Sequence, residues 1–116
     1  MRKTDRAKAL EIPPEVKRAV AKRDSCDGWP CCIFCGRPAP IGGIAWSNAH
    51  CVPRSQGGLG IEQNVITACP ECHNKLDQSP ERGEMLEFAE TYLKSKYKSW
   101  TRRKCTFPAY GRTKDA

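Results

Sequence analysis

The sequence predicts a small α+β domain, stapled by a structural four-cysteine zinc site and flanked by helices. Three observations predict it. Two Cys-x-x-Cys pairs, Cys32/Cys35 and Cys69/Cys72, have the spacing of metal knuckles. Two β-prone runs, Ile44 to His50 and Asn64 to Ala68, stand on either side of a glycine-rich loop and precede a helical segment. Apolar residues at helical spacing, Val16/Val20 before this unit and Leu86, Ala89, Leu93 and Tyr97 after it, supply the flanks.

A chain of 116 residues is one domain by size. So short a domain buries a modest share of its surface and gains from a staple. With 39% hydrophobic and 28% charged residues it reads as globular. No apolar run reaches the roughly 20 residues a bilayer span needs, so no membrane partner is expected. Met1–Arg6 is basic but no apolar stretch follows it, unlike a secretory signal. The expected location is the cytoplasm. Eight cysteines then point to metal rather than to disulfides. The formal charge of +7 remains basic with four thiolates around one divalent ion, which suits a polyanionic partner such as nucleic acid.

Taken in order, residues 1–11 are polar and charged and are expected to fray. Ile12-Pro13-Pro14 opens a helix over Glu15 to Asp24, because proline lacks only an N–H that would be unpaired in a first turn. Val16 and Val20 face the core; Lys17, Arg18, Lys22 and Arg23 form a basic outer face. Residues 25–43 are dense in Cys, Gly and Pro, with turn signals at Asp27-Gly28 and from Pro38 to Gly43. A strand starts at Ile44-Ala45-Trp46 and runs to His50. Residues 52–60 form an irregular loop, and Asn64 to Ala68 a second strand. A helix begins near Pro70 and carries Cys72, His73, Leu76 and Asp77. Ser79-Pro80 opens the last helix, with Ser79 as N-cap. The resulting division is an arm at 1–11, a domain at 12–100 and a basic tail at 101–116.

Two residues between cysteines let one tight turn aim both sulfurs at one ion, and Gly36 suits the point where the backbone doubles back. Cys32, Cys35, Cys69 and Cys72 together complete a tetrahedral set for Zn2+. Thirty-three residues separate the pairs, more than in a compact zinc ribbon, so other work sits between the knuckles. Cys31 is an alternative ligand in a shifted register. Cys26, Cys51 and Cys105 read as ordinary thiols.

The chain has two histidines, His50 and His73. The segment Ala49-His50-Cys51-Val52-Pro53-Arg54-Ser55-Gln56-Gly57-Gly58, followed by Asn64-Val65-Ile66 and Cys69-Pro70-Glu71-Cys72-His73-Asn74-Lys75, resembles the HNH endonuclease motif over about residues 30–78. Many zinc-stapled members of that family carry the same two cysteine pairs. The resemblance implies a ββα-metal hairpin, and hydrolysis of phosphodiester bonds, mostly in DNA. It implies His50 as general base, suited because imidazole titrates near neutrality. It implies His73 as a ligand of a catalytic divalent cation, Mg2+ or another such as Mn2+ or Ni2+, and Asn64 as the residue that fixes the loop carrying His50.

One position departs from the pattern. Many relatives place Asp, Glu or His before the general base; here it is Ala49, which has no donor atom. Either another residue supplies the ligand or metal binding is weakened. Asp77, four residues after His73 on one helix face, is the candidate replacement, with a hard oxygen that suits Mg2+ or Mn2+. The alternative for Asp77 is a local cap or ion pair. Asn48 ranks lower, because strand alternation turns it away from the direction of residue 49.

Lys94, Lys96, Lys98, Arg102, Arg103 and Lys104, interleaved with Tyr97 and Trp100, form an expected DNA grip. Arg54, close behind His50, is the expected contact to the scissile phosphate, and the basic face of the first helix a third contact. The reading is a metal-dependent endonuclease acting on DNA, a monomer or weak dimer that nicks one strand; RNA or branched DNA stays open. By resemblance, partners include phage packaging proteins. The alternative is a zinc-stapled DNA-binding module whose nuclease site has decayed.

Overall fold

The computed structural model describes residues 4–26, 28–39 and 47–107. Asp27, the turn residues from Pro40 to Gly43 and the expected strand start Ile44-Ala45-Trp46 lie outside the described residues, as do residues 1–3 and 108–116. In chain order the elements are α1 (Asp5–Leu10), α2 (Pro14–Arg23), β1 (Ser25–Cys26), β2 (Trp29–Pro30), β3 (Ser47–His50), β4 (Val65–Ala68), α3 (Pro70–Gln78) and α4 (Arg82–Lys96). Short 3-10 turns occupy Arg54–Gln56 and Arg103–Cys105. The α+β class and the strand–loop–strand–helix order hold.

β3 and β4 form an antiparallel hairpin in the register Ser47↔Ala68, Asn48↔Thr67, Ala49↔Ile66 and His50↔Val65. All four β4 residues are buried. A strand covered on both faces loses the apolar–polar alternation of a half-exposed one. Here α2 lies against one side of the hairpin, while Ile66 joins Ala49, Leu76, Ala89 and Leu93 in the main core.

The loop joining the two strands is closed by Asn64, which is fully buried. Its Oδ1 accepts from the Val52 N–H at 2.8 Å, and its Nδ2 donates to the carbonyls of Val52 at 3.3 Å and Leu59 at 2.9 Å. The adjacent glycines serve two needs. Gly57 sits at φ +86°, which L side chains rarely adopt, and a Cβ on Gly58 would lie 1.6 Å from the Val52 carbonyl oxygen.

α2 begins at Pro14, one residue before the expected start, and buries Val20 completely. α3 is capped by Cys69, whose sulfur accepts from the Cys72 N–H, with Pro70 in the first turn. Ser79 is not the N-cap of the last helix: it ends α3, its hydroxyl accepts from Glu81 N–H at 3.0 Å in the link between helices, and α4 starts at Arg82 behind Glu81, which makes no side-chain cap bond.

Three further expectations are corrected. Residues 5–10 do not fray; they form α1, with Thr4 Oγ1 accepting from Ala7 N–H and Leu10 only 3% exposed. Residues 101–107 are not a free tail. Cys105 is fully buried, its carbonyl accepts from Leu59 N–H at 2.8 Å, and Phe107 N–H donates to Gly57 O at 2.7 Å. Arg23 is not on the outer face of α2. Its guanidinium is tucked against Asp24 and donates to the carbonyls of Glu62 and Val65. Periodicity placed it with Lys17, Arg18 and Lys22, which are exposed.

Candidate active site and metal centre

The two knuckles meet. The sulfurs of Cys32, Cys35, Cys69 and Cys72 all lie within 4.8 Å of one another. Among the described residues this is the one group of three or more His, Cys, Asp or Glu ligand atoms close enough to share an ion. The Cys35 and Cys69 sulfurs are 3.8 Å apart. A tetrahedron with Zn–S of about 2.3 Å has an edge of about 3.8 Å, so the set fits zinc. The first knuckle turns through Gly36 N–H to Cys32 O and is tied to β4 by Ile33 N–H to Thr67 O. The second is the N-terminus of α3. Cys31 stands outside the quartet, with its thiol against the Trp29 carbonyl.

Cys51 and Cys105 are fully buried, and burial pushes their thiols up to about 12 and about 11. They remain protonated core residues, as ordinary thiols do. Cys26 is exposed.

Beside the staple, a cleft of about 470 Å³ opens between β3, the loop after it, α3 and the start of α4. It gathers Asn48, His50, Arg54, His73 and Asp77, with Arg82 at its edge. β3 supplies His50 and α3 supplies His73 and Asp77, one helical turn apart. The order Cys72-His73 fixes His73 directly behind the knuckle.

His73 Nδ1 is 2.7 Å from Ser47 Oγ, and that hydroxyl donates to the Ala68 carbonyl at 3.2 Å. A hydroxyl has one hydrogen, so Ser47 accepts from His73 Nδ1–H. The lone pair of a neutral His73 is then on Nε2, the nitrogen left for a cation. Asp77 lines the same cleft, so an imidazole nitrogen and a carboxylate, donors of the kind a divalent ion takes, could be offered there.

His50 Nε2 lies 3.0 Å from the carbonyl oxygen of Leu10, at the end of α1. Burial lowers the His50 pKa below its usual 6.5; the Leu10 contact works in the other direction, and Arg54 and His73 add to the lowering. The imidazole is thereby biased toward its neutral, proton-accepting form.

Ala49 is 5% exposed and packs in the core with Leu76. Asn48 is on the other strand face, as alternation requires, yet it lines the cleft beside His50. Ser47 and Arg82 were missed by sequence reasoning. Ser47 carries no motif signal; Arg82 reaches the cleft only because the tight link at 79–81 turns α4 back beside α3.

The basic residues divide. Arg54 borders the cleft. Lys96 and Lys98 line a separate hollow that shares no residue with it. Arg102 is engaged by Glu90 at 2.6 Å and Gln56 at 3.4 Å. Arg103 is exposed in the turn that follows. Trp100, expected to meet nucleic acid, is 7% exposed, with its indole N–H on the Gln63 carbonyl. Tyr97 donates to Glu62 at 2.9 Å and accepts from Arg23 at 3.2 Å. Both aromatics are bound into the fold because the segment after α4 folds back on the loop.

Residues 32–79 match the sequence model of the HNH endonuclease family. That span contains both knuckles, His50, Asn64, His73 and Asp77. A stretch of 60 residues is 33% identical to the type IV methyl-directed restriction enzyme EcoKMcrA of Escherichia coli. The match covers 48% of this chain and 22% of that protein.

Proposed function

We propose that the HNH domain at residues 32–79 is a metal-dependent endonuclease that hydrolyses phosphodiester bonds in DNA. The observation that carries this reading is the convergence of His50, His73, Asp77 and Arg54 on one cleft. A base must take a proton from the attacking water, and burial biases His50 toward the neutral form that accepts one. His73 Nε2 and the Asp77 carboxylate would hold the divalent ion. When bound, that ion supplies charge stabilisation for the phosphate and the leaving oxygen. Arg54 and Arg82 at the cleft add positive charge where the backbone phosphates of a duplex would lie. Asn64 acts through the loop it closes, keeping the chain after His50 in place.

One such site cuts one strand, so a monomer nicks. No described helix is long and apolar enough to cross a membrane. A second reading, a zinc-stapled DNA-binding module without activity, is favoured by one observation: the side chain at position 49 is a buried alanine with no donor.

A supercoiled-plasmid assay separates the two. Protein is incubated with EDTA, Mg2+, Mn2+, Ni2+ or Zn2+ beside His50→Ala and Asp77→Ala. The nuclease reading expects metal-dependent nicking that falls by about 100-fold or more in His50→Ala. Loss in Asp77→Ala supports its service as the substitute ligand. A folded, DNA-shifting protein that never nicks sinks the enzyme and leaves the binding module.

A further inference from the structure

We propose that the N-terminal helix α1 is a positioning element of the active site, setting the tautomer of His50 through the Leu10 carbonyl. The inference rests on His50 being the base. A carbonyl oxygen only accepts, so the contact at 3.0 Å requires a hydrogen on His50 Nε2. A neutral imidazole has one N–H, which leaves the lone pair on Nδ1. Nδ1 is then the atom that takes the proton of the attacking water; the hydroxide oxygen bonds to phosphorus as one phosphorus–ester oxygen bond breaks, and the leaving oxygen departs with the electron pair and takes a proton from solvent. In the resulting imidazolium Nε2–H still points at Leu10, so the contact persists through the step.

The carbonyl belongs to a helix distant in sequence, and that helix is docked rather than self-supporting. Six residues are too few to hold a helix in water unaided. Leu10 is its buried anchor. Gly60 N–H donates to the Ala9 carbonyl at 2.9 Å, and a Cβ on Gly60 would lie 1.8 Å from the Glu11 carbonyl oxygen. Arg6 reaches the Arg54 carbonyl at 3.4 Å. The same loop that Asn64 closes therefore receives α1 and aims a helix-terminal carbonyl, one of those without an intrahelical partner, at the base.

The test uses the full chain with Gly60→Ala, which blocks docking from the loop, and Leu10→Ala, which weakens it from the helix. Long-range 1H–15N NMR reads the His50 ring nitrogens, and plasmid nicking gives kcat and KM. The wild type is expected to hold hydrogen on Nε2 with Nδ1 bare. Each folded, zinc-replete variant is expected to mix tautomers and to lose about tenfold or more in kcat, with KM within about twofold. A wild-type His50 carrying its hydrogen on Nδ1, or folded variants with unchanged kcat and unchanged ring spectra, would overturn the proposal. If the wild type does not nick, the nuclease reading fails, and the ring spectra of wild type and variants alone decide whether α1 sets the tautomer.

Discussion

His50 shows how a single side chain is tuned by what surrounds it. Its identity was legible in the sequence from the motif, but its protonation was not, because that depends on burial and on a carbonyl forty residues earlier. Burial removes water from the imidazolium, and Arg54 and His73 oppose a further positive charge; the Leu10 carbonyl recovers only part of that. The folded-state pKa is thus below the ordinary 6.5. With two histidines in the chain, NMR titration of the zinc-loaded protein resolves each. His50 is expected to titrate below that value, so its neutral form dominates at pH 7. The sign for stability follows. The unfolded chain takes the proton more readily, so the contribution is complete above pH 6.5 and is lost as pH falls through 6.5 toward the folded pKa. A midpoint at or above 6.5 would show that burial does not govern this site.

At the scale of elements, the joint between α2, β4 and α4 is made by a buried ion pair. Asp24, whose side chain has no exposed surface, receives Arg23 at 2.7 and 2.9 Å and the Thr67 N–H at 2.9 Å, together with the Tyr92 hydroxyl. Burial raises the Tyr92 pKa, keeping it a donor to Asp24. Sequence pattern found α2 and its Val20, but it assigned Arg23 to solvent and took Asp24 as a helix end. Charge is visible in a sequence; a partner 43 residues away on β4 is not. The same limit hid the covering of β4 on both faces and the folding back of Trp100, whereas the knuckles were legible because ligand geometry acts over short spacings, and the histidines through the motif that they resemble. Asp24→Ala leaves the guanidinium buried without its counter-charge, and urea unfolding is expected to show a loss of about 3–5 kcal/mol. Lys17→Ala, on the exposed face of the same helix, is expected to change stability by less than about 0.5 kcal/mol. Equal effects from the two would mean that the pair does not hold the joint.

For the whole molecule, the cysteine quartet, which could hold a zinc ion, underlies the helical wall of the cleft. It joins the knuckle after β2 to the end of β4 and the first turn of α3, the helix that carries His73 and Asp77. Binding of structural zinc by small domains is worth on the order of 10 kcal/mol, comparable with the roughly 5–15 kcal/mol by which a whole domain is stable. Across this joint the second core cluster consists of Cys32, Ala68, Cys69 and Cys72, with Phe34 and Met85 packed on it, and Ile33 N–H donates to the Thr67 carbonyl. Without a shared ion, four sulfurs within 4.8 Å of one another lack the bonds that would fix the two knuckles together. Two classes of ion loss should therefore separate. A chelator level that withdraws Mg2+ is expected to stop nicking while the thermal transition stays in place. Stripping zinc, or Cys69→Ser, is expected to abolish that transition and helical circular dichroism together, with recovery on adding Zn2+ only for the wild type. A zinc-free protein that retains its cooperative melting would show that the apolar core holds α3 unaided, and that the knuckles serve something other than the fold.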